Sequence, residues 1–398
     1  MSDSGDTGDN GETVTAAGHA AMRIAFVLGS ATGGTARHVA VLAAGCRDAG
    51  LAVSAFGPPE AAGLFGTGIE FSQVRIGDRP RSASDAVAIG RLRAGLRKWR
   101  AEVVHAHGVR AGAFAALAML GIGRSGRPAL VVTVHNAPPD GRAARLSYGL
   151  LERICAGRAD VILCASADLR TRLRALGAAD AEQFDVPAVL AQPPTDAEIA
   201  KARADIGANG RPVVLAVARL APQKALDVLV DAAACWRDRK PEPLAVIAGD
   251  GPLRTALTGQ ARRAGADVRL LGARDDVPAL LAVADVVVVC SRWEARSLVL
   301  QEAMRAGRPI VATRVGGTPG LTGAEAAMLI PAGSPAALAT AVAAVLDDQP
   351  LAGRLGLAAR SRSASFPTQK DAVSAALAIY SRLAAGRRFG PAGQVGAR

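Results

Sequence analysis

The amino-acid sequence predicts an α/β protein made of two successive doubly wound units that face each other across a ligand cleft. Three observations predict it. Short, fully apolar runs alternate with stretches of helical spacing, the pattern of a parallel sheet with helices on both faces. The alternation stops once, over 187–211, where Pro187, Pro193, Pro194, Gly207 and Gly210 fall among charged residues, and then resumes. The chain has 398 residues, which suits two cores better than one.

The first apolar run, MRIAFVL at 22–28, stops at Gly29 and reads as a buried strand. A Gly-rich turn, GSATGG at 29–34, leads into a helical stretch over 35–48. Further strands are expected at 51–56, 102–106, 129–135 and 160–165, and helices at 84–100, 110–120, 142–156 and 167–176. After the break, strands are expected near 213–218, 244–248, 268–271, 285–290 and 309–312, and 334–384 reads as consecutive helices. The expected division is a polar leader at 1–20, a first domain at 21–190, a linker at 191–211 and a second domain at 212–366. A helix at 367–385, crossing back to the first domain, and a basic flexible tail at 386–398 complete it.

Half the residues are hydrophobic but only 3% are aromatic, so Ala, Val and Leu must build the cores. The formal net charge of +12 favours anionic partners: phosphorylated substrates, an acidic membrane face or nucleic acid. It is equally the mark of compositional drift towards Arg. Nucleic acid is disfavoured, because two Tyr, three Trp and eight Phe, mostly dispersed, offer no stacking stripe. Cys46, Cys155, Cys164, Cys235 and Cys290 are scattered without a CxxC pair, which fits a reducing cytoplasm and suggests no metal site. The segment 1–20 lacks the positive start and apolar middle of a signal peptide, and the apolar run at 111–122 is too short to span a bilayer. A cytoplasmic protein able to rest on the inner membrane face is expected.

Three constellations carry candidate chemistry. The Gly-rich turn follows a strand and opens a helix, so its amides and the helix N-terminus can face an anion, or simply form a tight turn. It lacks the GxGxxG spacing and the acidic residue of a nicotinamide dinucleotide site. Arg219 and Lys224, in VARLAPQKALDVLV, stand at a strand end and the following helix start. There they suit a diphosphate, or are two solvated charges. The run SRWEARSLVLQEAM at 291–304 follows a strand directly and puts Glu294 ahead of a helix and Glu302 inside it. The N–H groups of Arg296, Ser297 and Leu298 lie between them, at the expected helix N-terminus. Two carboxylates flanking anion-binding amides match a sugar nucleotide. Alone, the same run is a helix-terminal carboxylate and an exposed helical Glu.

The pair Glu294 and Glu302, seven residues between them, is followed by AMRAGRPIVATRVGG. With RLAPQK at 219–224 and AGDGPLR at 248–254, these blocks resemble glycosyltransferase family 4, a retaining family of the GT-B architecture with two facing Rossmann-like domains. The resemblance runs from about residue 22 to 384 and is densest in the second half. It implies transfer of a hexosyl or N-acetylhexosaminyl group from a UDP- or GDP-sugar to an acceptor, without a metal or other cofactor. By resemblance, Arg219 and Lys224 hold the donor diphosphate, Glu302 the ribose, and Glu294 the hydroxyls of the transferred sugar. Gly33 and Gly34 look like the loop closing over the phosphates. His135, in VVTVHNAP, matches a histidine beside the sugar, and His107 looks like an acceptor-side residue.

The family has Gly after its first Glu and often Pro soon after, where this chain has Ala295, Arg296 and Ser297. Arg296 is therefore expected to add a cation near the sugar pocket. Alternatives on the same architecture are a sugar-nucleotide epimerase and a donor-binding relative impaired at Ala295; a pyridoxal-dependent phosphorylase lacks its lysine motif. Family members often act on lipid-linked acceptors or cell-envelope glycan precursors. RLRAGLRKWR at 91–100, with Leu96 and Trp99 between cations, and the Arg-rich helix at 142–158 read as contacts to an acidic membrane or as solvated helix faces.

Overall fold

The computed structural model describes residues 21–29, 33–77, 82–123, 126–138, 141–188 and 191–388. The leader at 1–20, the tail beyond 388, and Ser30, Ala31 and Thr32 of the Gly-rich turn lie outside the described residues.

The first domain runs β1 (Arg23–Leu28), α1 (Gly33–Asp48), β2 (Ala52–Gly57), β3 (Glu70–Gln73), α2 (Ser82–Trp99), β4 (Val103–His107) and α3 (Val109–Ala118). It continues through β5 (Ala129–Val134), α4 (Arg142–Arg158), β6 (Val161–Cys164), α5 (Ala167–Ala175) and β7 (Ala181–Gln183). Its strands form one parallel sheet in the order β3-β2-β1-β4-β5-β6-β7. The second domain has α6 (Asp196–Asp205), β8 (Val213–Val217), α7 (Leu226–Ala234), β9 (Leu244–Ala248), α8 (Arg254–Ala264), β10 (Val268–Gly272) and α9 (Val277–Val283). Then come β11 (Val286–Val289), α10 (Leu298–Arg305), β12 (Ile310–Thr313), α11 (Thr318–Thr322), β13 (Met328–Ile330), α12 (Pro335–Asp347) and α13 (Gln349–Ser363). Its parallel sheet has the order β10-β9-β8-β11-β12-β13. The architecture is GT-B.

The inner strands are mostly apolar because helices cover both faces: ALVVTV in β5 and VVVV in β11 are buried throughout. β4 is the most polar of them, carrying two histidines, His105 and His107, on a fully buried strand. The edge strands β3, β7 and β13 escaped the sequence reading, being three or four residues long and partly polar or exposed.

The last helix, α14 (Gln369–Arg388), returns to the first domain, where Ala372, Ala376, Ile379 and Tyr380 enter the core. The expected linker at 191–211 needs correction. Thr195 and Glu198 form a reciprocal capping box that starts α6, and Ala202, Ile206 and Ala208 are buried in the second domain's core. The prolines and glycines that suggested a loose connection instead bracket a helix. The expected outward-facing Leu96 and Trp99 also need correction: Leu96 is buried and Trp99 packs against the first core. They serve packing within α2.

Each sheet reverses its winding direction once, between β1 and β4 and between β8 and β11. Ligands of such sheets sit beyond the strand C-termini at these switch points. Gly29 and His107 mark the first switch, and the segments reaching Arg219 and Ser291 mark the second.

Candidate active site

The second domain's wall is built from the three sequence blocks, joined into one hydrogen-bonded unit. The Leu220 amide donates to Asp250 O at 2.9 Å and the Leu253 amide to Leu220 O at 3.1 Å, which laces AGDGPLR to RLAPQK. Arg219 stays exposed at the end of β8. A single 3₁₀ turn, Pro222–Lys224, then aims Lys224 at the segment after β11. Lys224 Nζ lies 2.5 Å from Glu294 Oε1, and Ser291 Oγ donates to the same oxygen at 2.6 Å. Glu294 is 6% exposed, so these two groups replace water as its partners. The Arg292 amide donates to Gln223 O, and Gln223 Nε2 to Trp293 O, both at 2.8 Å, which fixes the turn against the loop.

The GG of RVGG closes the unit from beneath. The Gly317 amide donates to Glu294 O at 2.8 Å, and a Cβ at Gly317 would run into Ala295 O, so only glycine allows this approach. Ser297 caps α10 by accepting from the Leu300 amide at 3.4 Å. The amides of Leu298 and Val299 remain at the open helix end, where the helix dipole favours an anion. Glu302 is one turn beyond Leu298 on the same face and half-buried. Burial raises the pKa of its carboxyl, and facing Arg37 and Arg305 oppose the rise.

The Ala295-Arg296-Ser297 departure has a structural resolution. Ala295 is buried against the first domain's core, with Trp293 and Leu298 beside it. Among the described residues, the non-glycine positions with positive φ are Arg100, Asn209 and Ala225, so Ala295 needs none of glycine's conformational freedom. Arg296 does not stand by the sugar pocket, contrary to expectation. It pairs with Asp185 at 2.7 Å and lies 5.6 Å over the Phe366 ring, both on the connections between domains.

The opposite wall comes from the first domain. α1 begins at Gly33, and a Cβ on Gly34 would overlap Leu298 Cδ1, so two helix N-termini meet across the cleft. Trp293 Nε1 donates to Asp168 at 2.9 Å, another contact across the cleft. His135, just past β5, is 9% exposed, and its Nε2 lies 3.2 Å from His107 Nδ1. The two rings are nearly coplanar, with 17° between planes and centroids 5.5 Å apart, so the contact is edge to edge. His107, expected on the acceptor side, is 3% exposed and reaches the cleft only through His135.

Behind His107, His105 bonds Tyr380 Oη through Nδ1 at 2.5 Å and Thr133 Oγ1 through Nε2 at 2.7 Å. Burial pushes the Tyr380 hydroxyl well above its ordinary range, so it stays protonated in its bond to His105. His38, one turn beyond Gly34, stands edge-on to His107 and His135. Burial lowers the pKa of His38 to about 3 and that of His135 to about 4, and those of His105 and His107 well below the usual value. All four are neutral at pH 7 and offer hydrogen bonds without charge.

The structure thus groups Lys224, Glu294, Ser297, Leu298, Glu302 and Gly34 around the meeting helix ends, and places His135 on the facing wall. It adds Arg37, His38 and Ser291, which the sequence reading missed. Arg37 and His38 follow Gly33 and Gly34 by one helical turn, a spacing that could have drawn attention to them. Among the described residues, no helix is long and apolar enough to cross a membrane.

Comparison with known proteins agrees with this geometry. The Glycosyltransferase Family 4 model matches residues 32–186, and the Glycosyl transferases group 1 model matches 211–348. A GDP-mannose-dependent alpha-(1-6)-phosphatidylinositol monomannoside mannosyltransferase from Mycolicibacterium smegmatis is 31% identical over 63% of this chain and 69% of its own length. The alpha-D-kanosaminyltransferase of Streptomyces kanamyceticus is 31% identical over 46% of this chain; the match spans about half of that relative, 47%. Among solved structures, Anabaena Alr3699/HepE in complex with UDP and glucose superposes with a TM-score of 0.76 at 22% identity, covering 92% of this chain and all of that one.

Proposed function

We propose, since the chain belongs to glycosyltransferase family 4, that it transfers a hexosyl or N-acetylhexosaminyl group from a UDP- or GDP-sugar to an acceptor, with retention of configuration. One observation carries this reading: Lys224, Ser291 and Glu294 are knotted at the N-terminus of α10, which meets the N-terminus of α1. Two positive helix ends with lysine and arginine nearby leave an excess of positive potential that a diphosphate neutralises.

In this reading Arg219, Lys224 and the α10 amides hold the diphosphate and stabilise its charge as the bond to the sugar breaks. Glu302 accepts hydrogen bonds from ribose hydroxyls. Both contacts of Glu294 converge on Oε1, which orients Oε2 for a hydroxyl of the sugar. Neutral His135 hydrogen-bonds the sugar from the opposite wall. Retention rests on family membership, and no side chain is assigned as a covalent nucleophile. Positive charge from the protein takes the place of a metal, so chelators are expected to leave the rate unchanged. The fit of Ala295 supports an active enzyme over an impaired relative.

The mannosyltransferase relative acts on a phosphatidylinositol mannoside, which supports a lipid-linked or cell-envelope acceptor for this chain too. Membrane contact at the cytoplasmic face then falls to α4, where Leu146 and Leu150 are 75% and 58% exposed between exposed Arg142 and Arg153. Co-sedimentation with acidic vesicles at low salt tests that contact, and no binding would remove it.

A thermal-shift panel of nucleotide sugars tests the function. The true donor raises the melting temperature by mass action. A panel of UDP-, GDP- and ADP-hexoses without any shift would overturn the reading.

A further inference from the structure

Helix α10 has two working faces. Leu298 and Glu302 look into the cleft, while Gln301 and Arg305, one turn apart, face the connection between the domains. Gln301 is fully buried; its Nε2 donates to Val186 O at 3.0 Å and its Oε1 accepts from the Ala188 amide at 3.1 Å. Arg305 Nη1 donates to Ala188 O at 3.4 Å. Arg296, two residues before the helix, pairs with Asp185 on the same connection. Its guanidinium also covers Phe366, which precedes the return crossing into α14. Its side chain is 12% exposed and that of Asp185 36%, so water screens the pair from the Asp185 side only. One helical turn and the loop ahead of it therefore hold both passages of the chain between domains.

We propose that Arg296 is a positioning residue that locks the sugar-side loop 293–298 to both interdomain crossings, so that domain arrangement and donor-site geometry change together. The lock deepens the donor-site reading above and rests on it. A packed helix moves as a rigid element, so a rotation that displaces Asp185 or Phe366 carries Arg296 with it. Ser297 and Leu298 follow directly in the chain, and Glu294 is two residues back. The lock thus falls within 295–297, the stretch in which this chain departs from its family's pattern.

The test compares Arg296→Ala, Asp185→Asn, Arg296→Lys and the exchanged pair R296D/D185R with the parent protein. UDP and GDP affinities are measured by calorimetry and the radius of gyration by small-angle X-ray scattering. Both single losses are expected to weaken nucleotide binding about tenfold and to enlarge the unliganded particle. The exchanged pair and Arg296→Lys recover most of both, which a mere loss of folding would not allow. Parent-like affinity and radius in Arg296→Ala and Asp185→Asn would overturn the proposal. Should the parent bind neither nucleotide, the donor reading fails instead, and the unliganded radii still decide the lock.

Discussion

The two domains share one winding pattern and carry opposite chemistry at the same place. Where β1 and β4 part, the first domain buries His38, His105, His107 and His135 as neutral rings. Where β8 and β11 part, the second domain sets Lys224, Glu294 and Glu302 by an open helix end, with Arg219 exposed at the end of β8. A neutral, water-excluding wall faces a charged one. The first can orient uncharged hydroxyls, and the second can hold a diphosphate. The fold supplies the place, and the side chains at the strand ends decide which half of a sugar nucleotide each domain suits.

The sharpest way to break this comparison is acid. All five histidines of the chain precede residue 136. Their folded pKa values, where shifted, are lowered, so the fold keeps its full stability above the unfolded value of about 6.5 and loses it as pH falls towards the folded values. Each buried histidine then costs about 1.4 kcal/mol per pH unit. Near pH 5 the first domain, with α14, should open while the second stays folded. Hydrogen exchange at pH 5 and 7 reads this directly, and simultaneous opening of both domains would refute it.

Removing the charged wall's central cation comes next. Lys224→Ala should lower the transfer rate roughly 10²–10³-fold, because Glu294 keeps only Ser291 as a partner and the diphosphate loses a cation. Steady-state rates with the donor identified by the thermal panel measure it. An unchanged kcat would put the chemistry elsewhere.

The contact between the walls is testable at one atom. Gly34→Ala places a methyl group against Leu298 and should weaken donor binding by about 1–3 kcal/mol through overpacking. Leu298→Ala in the same chain should restore much of it, while additive losses would mean that the walls do not meet. The smallest effect belongs to the neutral wall. Tyr380→Phe keeps the ring and removes the hydroxyl bonded to His105, for a loss of about 1–2 kcal/mol in the first domain. Denaturant unfolding should register it there and leave the second domain's transition in place.

The sequence reading reached the two walls unequally. The second domain's wall was legible because it lies in three contiguous blocks, each fixed by a strand end and a helix start; Lys224 and Glu294 meet because those blocks interlock. The first domain's wall depends on packing between distant segments. His105 reads as a strand residue, and only the return of α14 explains Tyr380 as its partner. Arg296 shows a further limit. Its position beside Glu294 was plain, but its direction depends on Asp185 and Phe366, far apart in the chain. The helix within the expected linker has its own signature, since Thr195 followed by Glu198 marks a helix start among the prolines. Short edge strands such as β7 carry too few residues to show a period.

The most direct measurement is a calorimetric titration of UDP and GDP against the parent protein and the double variant Arg219→Ala/Lys224→Ala. If the second domain grips the diphosphate through these cations, one nucleotide binds the parent, weakens with salt, and binds the variant roughly a hundredfold less tightly. Equal affinity for parent and variant, or no binding of either nucleotide to the parent, would contradict the account.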